Sequence, residues 1–62
     1  MSRAERAALL TLAKAAEAAL IDSERARLER DVLEYTRARR QCALFLERLI
    51  LRLQGMNEPN QG

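Results

Sequence analysis

A chain of 62 residues with net charge +2, one cysteine, no histidine and two glycines closes off several classes of chemistry. It cannot form an internal disulfide, it lacks the ligand set of a zinc site, and it has no glycine-rich phosphate loop. The length allows one domain that would bury only about 60% of the surface its unfolded form exposes, so stability has to come from oligomerisation or from docking on a partner.

Alanine, leucine, arginine and glutamate dominate, and all four favour helix. No glycine or proline occurs from Ser2 to Gln54, and no period-two run of β-branched residues is present, so the fold class is all-α. Ten arginines stand against the single Lys14, a usage that fits a bacterial or phage coding sequence. No uncharged run approaches the roughly 20 residues of a membrane span. Lys14 and Glu17 break the apolar stretch that follows Arg3 and Arg6, against the pattern of a secretory signal. A cytoplasmic setting is expected.

In chain order, Ser2-Arg3-Ala4-Glu5 reads as a capping box that starts a helix near Arg3. The apolar stripe of this helix is Leu9, Ala13, Ala16 and Leu20, with Leu12 beside it, spaced as a helix requires. Continuing the stripe would place Glu24 and Arg27 in a core, so it stops. Asp22 or Ser23 can cap a second helix there. The expected arrangement is an antiparallel hairpin, with a helix over about 3–21, a tight turn, and a helix over about 24–54; one continuous helix with a register break is the alternative.

The second stripe runs Leu28, Val32, Tyr35, Arg39, Cys42, Leu46, Leu49, Leu53 at alternating spacings of four and three, the pattern of a coiled-coil seam. Arg39 is its one charged member and would fix register or partner. Gly55 is placed to end the helix as its C′ residue. The domain reading is therefore a helical hairpin module over 1–54 and a flexible polar tail over 55–62.

These lengths imply a mismatch. A helix of about 19 residues spans roughly 28 Å and one of about 31 spans roughly 46 Å, so the end of the second helix projects beyond the first. That end is Cys42 to Leu53, with nine apolar residues in twelve. An uncovered apolar surface of this kind marks an association site. The candidate interface is Cys42, Leu44, Phe45, Leu46, Leu49, Ile50, Leu51 and Leu53. Within it, Leu46, Leu49, Ile50 and Leu53 serve self-association into a four-helix bundle or coiled-coil-like assembly, and Leu44, Phe45 and Leu51 serve a second contact. Residues 37–52 carry a charge of +4, and Arg37, Arg39, Arg40, Arg48 and Arg52 would steer an acidic partner.

In size and build the chain resembles small bacterial and phage helical hairpins that act as co-chaperones, regulators or RNA-binding dimers, a likeness of architecture alone. The reading is a non-catalytic protein-binding adaptor or inhibitor. Its partners are a second copy of itself and another protein, and it takes no cofactor, metal or small-molecule substrate. A nucleic-acid-binding dimer using the Arg37–Arg52 region is the alternative, separable by the steep salt dependence of phosphate contacts.

Overall fold

The computed structural model describes residues 1–57. Two helices, α1 (Arg3–Leu28) and α2 (Val32–Asn57), pack against each other as a hairpin. The start of α1 follows the expected local chemistry. The Glu5 backbone N–H donates to Ser2 Oγ at 3.1 Å, and the Ser2 backbone N–H donates to Glu5 Oε1 at 2.8 Å. These bonds, the backbone one first, hold the Glu5 carboxyl below its ordinary pKa.

The turn is not where the sequence placed it. α1 continues through residues 21–23 without a break. Ser23, read above as a candidate cap, is fully buried, and its hydroxyl donates to the Leu20 carbonyl at 2.6 Å. A hydroxyl bonded back into its own helix leaves no orphan polar group, so a serine can lie in a helix–helix contact where a larger polar residue could not.

The chain reverses instead at Glu29-Arg30-Asp31. The Asp31 N–H donates to the Ala26 carbonyl at 2.9 Å and the Arg30 N–H to the Arg27 carbonyl at 3.1 Å. This is a Schellman closure, and it requires a left-handed residue at its C′ position. Arg30 fills that position with φ 59°. Asp31 then caps α2: its Oδ1 accepts from the Glu34 N–H at 3.0 Å, and its carbonyl accepts the first helical bond, from Tyr35, at 2.9 Å. One acidic residue thus closes the first helix and opens the second, which makes the continuous-helix alternative incorrect.

At its far end α2 runs through Gly55 to Asn57, so Gly55 does not terminate it and the expected boundary at 54 falls short. The remainder of the expected tail, 58–62, lies outside the described residues.

Each helix therefore has 26 residues, about 39 Å at 1.5 Å per residue. The length mismatch does not exist, and α1 spans the whole of α2. The inference of a projecting apolar end is overturned, and the apolar surface has to be sought on the sides of the hairpin.

The packed seam repeats every seven residues. In α1 the buried or half-buried line is Leu9, Leu12, Ala16, Ala19, Ser23 and Ala26; in α2 it is Tyr35, Ala38, Cys42, Phe45 and Leu49. Four of the five buried apolar residues are alanines. Small side chains let the two backbones approach closely, but each buried methyl contributes only about 0.8 kcal/mol.

Arg39 is not in this seam; its neighbour Ala38 is, with 5% of its surface exposed. Arg39 lies outside, its guanidinium carbon 5.9 Å from the Tyr35 ring centroid, within cation–π range. Leu28 and Val32, the first members of the expected stripe, flank the turn and are 74% and 76% exposed.

Candidate protein-binding faces

The hairpin is 20 Å wide and 10 Å deep, about the depth of one helix layer. A domain usually has a second layer on which to bury its apolar faces. Among the described residues each helix has only the other to pack on, so both broad faces of the layer are open there.

The two faces differ. In an antiparallel pair, positions one step outside the seam on the same rotational side come together on one face. On one side these are Ala13 and Leu20 of α1 with Leu46 and Leu53 of α2, bordered by Leu10 and Ile50. A groove of about 250 Å³ runs between the helices there, lined by Ala13, Ala16, Glu17, Leu20, Cys42, Leu46 and Leu49. This is the leucine face.

The opposite face carries Ala8, Ala15 and Ala18 from α1 and Leu44, Arg48 and Leu51 from α2. A hollow on it is lined by Leu12, Arg48, Leu51 and Arg52. This is the alanine face. Leu51, at 60%, is its most exposed large apolar residue.

The candidate interface residues are thus distributed three ways. Cys42, Phe45 and Leu49 are half-buried in the hairpin's own seam, with Cys42 a free thiol. Leu46, Ile50 and Leu53 lie on the leucine face. Leu44 and Leu51 lie on the alanine face. Phe45 was expected to make an outward contact; its position one step from Leu46 puts it against α1 instead. Leu10, Leu20 and Ile21 are exposed apolar residues of α1 that sequence reasoning passed over or placed in a core. The structure also exposes a third apolar group, Leu28, Val32 and Leu33, around the turn.

At 100° per residue, Arg40, Arg37, Arg48 and Arg52 fall within about 120° of arc on the side of α2 that carries Leu44 and Leu51, while Arg39 lies on the opposite side, between Leu46 and Ile50. Arg37 is 3.7 Å from Glu34, and Arg27 pairs with Glu24 at 3.0 Å. Both are exposed pairs and contribute little to stability. Of the five arginines of α2, Arg48 and Arg52 border the hollow on the alanine face.

Among the described residues, no three acidic or cysteine side chains come together as a metal site, and no helix is long and apolar enough to cross a membrane. No family model, curated protein or solved structure matches this chain. The class these features define is an all-α helical hairpin with two open apolar faces.

Proposed function

We propose that this chain is a non-catalytic protein-binding module that acts as a dimer of hairpins. The reading rests on one observation: a single-layer hairpin in which four of the five buried apolar residues are alanines, with exposed leucines on both faces. Two faces suit two tasks. The leucine face, richer in large side chains, serves self-association. The alanine face then remains for a target. Its small residues would admit a partner helix closely, Leu44 and Leu51 would supply burial, and Arg48 and Arg52 would favour an acidic stretch on that partner.

Nucleic acid is the weaker alternative, because exposed Leu44 and Leu51 interrupt the arginine arc that would have to track a phosphate backbone, and Arg37 is already 3.7 Å from Glu34. The test is an affinity capture from lysate of the source cells, with wild type and a Leu44→Glu, Leu51→Glu double variant as baits. The expected result is a defined protein retained by wild type and lost by the variant, while both baits keep the same oligomeric state. Retention of RNA or duplex DNA by both baits, falling steeply with salt and abolished by Arg37→Glu with Arg40→Glu, would replace this reading with the alternative.

A further inference from the structure

The apolar repeat most apparent in the sequence is not the one the hairpin packs. In α1 the repeat Leu9, Ala13, Ala16, Leu20 shares only Leu9 and Ala16 with the seam. In α2 the repeat through Cys42, Leu46, Leu49 and Leu53 shares only Cys42 and Leu49. The left-over members, Ala13 and Leu20 on one helix and Leu46 and Leu53 on the other, are displaced to the same side, and Ala13, Leu20 and Leu46 meet across one groove together with Glu17. A stripe wide enough to cover the seam and one flank is what a helix needs when it has two neighbours at right angles, as in a four-helix bundle. Each helix of this hairpin has one such neighbour.

We infer that the missing neighbour is a second copy of this chain, laid antiparallel on the leucine face with Leu46 on the two-fold axis. The inference rests on the dimer reading above and adds to it the face and the register. Area supports it. A face about 39 Å long and 20 Å wide offers about 780 Å² per copy, close to the roughly 800 Å² per partner of a stable interface.

The choice of Leu46 fixes the whole register. Within the hairpin, residues level with one another have numbers that sum to 61, as Ala26 with Tyr35 and Ala16 with Phe45. If Leu46 faces its own copy, partners along α2 sum to 92, and partners along α1 must then sum to 30. That single choice sets Leu10 against Leu20 of the second copy, Ala43 near its Ile50, and Arg6 against its Glu24. The outer pair is of opposite charge; the same register sets Arg39 against Leu53 of the second copy and Glu17 against its Ala13, so these two charged side chains extend to the edge of the interface. The one like-charged match, Arg3 with Arg27 of the second copy, falls where Arg27 is already held by Glu24.

The experiment is disulfide trapping of the full chain in a Cys42→Ala background, with single Leu46→Cys and Leu51→Cys variants oxidised and run without reductant. The expected result is that most of the Leu46→Cys chain becomes a covalent dimer, at least tenfold more than for Leu51→Cys. If Leu46→Cys loses helicity, an equimolar mixture of Leu10→Cys and Leu20→Cys chains replaces it, with heterodimers expected to exceed either homodimer. Trapping by Leu51→Cys alone would overturn the face while leaving a dimer in place. Efficient trapping between Ala13→Cys and Leu46→Cys chains, without Leu46→Cys homodimers, would overturn the antiparallel register. No trapping by any variant, together with a sedimenting mass of 7.1 kDa, would overturn the dimer itself.

Discussion

Arg30 is the residue whose replacement tests the hairpin turn most sharply. Its φ of 59° holds a side chain with a Cβ in the left-handed region, at a cost of about 1–2 kcal/mol relative to a right-handed residue. Glycine adopts that conformation freely, but it gives back about 0.4–1 kcal/mol through the greater freedom of the unfolded chain. Arg30→Gly should therefore stabilise the fold by about 0.5–1 kcal/mol. With an unfolding entropy of about 2.1 cal/mol/K per residue, a domain of this size would melt about 4–8 °C higher.

The Arg30 side chain also borders a hollow with Tyr35 and Val32, so its removal has a cost of its own. Arg30→Ala controls for this, because it loses the same side chain but keeps the Cβ. The assay is thermal unfolding followed by helical circular dichroism at one fixed protein concentration, since the melting point of an associating chain varies with concentration. The glycine variant should melt above the alanine variant by several degrees. Equal melting points, or alanine above glycine, would mean that Arg30 is not left-handed and that the turn lies elsewhere.

Other substitutions test the capping and the seam. Asp31→Ala should lose about 1 kcal/mol in denaturant unfolding, because the Glu34 N–H loses its acceptor, whereas Asp31→Asn should stay near wild type. Ser23→Leu should cost about 1–3 kcal/mol by overpacking a fully buried site; a neutral result would place Ser23 outside the helix contact.

Glu5 carries the pH dependence. Its folded pKa is depressed below the ordinary 4.5, so its contribution to stability is fully present above that value and is lost as pH falls through the folded pKa. A carboxyl NMR titration should find the Glu5 midpoint below 4.5, and Ser2→Ala should move it back up. A wild-type midpoint at or above 4.5 would show that the capping box does not persist in solution.

What could be read from the sequence was whatever depends on a few adjacent residues. Ser2 and Glu5 form their box from local geometry alone, and the helical composition left no room for strands. The turn was hidden because its left-handed position holds an arginine instead of a glycine, and because Asp31 sits inside a run of mixed charge. Asp22-Ser23 offered a more conventional cap, and nothing local reveals that Ser23 is small enough to be buried against another helix.

The seam was misplaced by one residue in phase. Nine of the 26 residues of the first helix are alanines, and several stand beside leucines, so hydrophobicity could not separate Ala13 from Leu12 or Leu20 from Ala19. The packed line is chosen by how closely two backbones can approach, which is a property of the pair of helices and not of either stripe. The same one-residue step exchanged Arg39 for Ala38 and Leu46 for Phe45. It also shortened the first helix, and with it went the projecting end that first suggested association. What remains of that suggestion is a broad lateral face of leucines beside a seam whose buried apolar residues are mostly alanines.

Sedimentation equilibrium, with helicity measured at each concentration, tests that last point most directly. Association through the leucine face predicts a mass of twice the 7.1 kDa chain at micromolar concentration, with helix content and mass falling together on dilution, and a loss of both in Leu46→Asp. A wild-type chain that sediments at 7.1 kDa with full helicity, unchanged by Leu46→Asp, would contradict it.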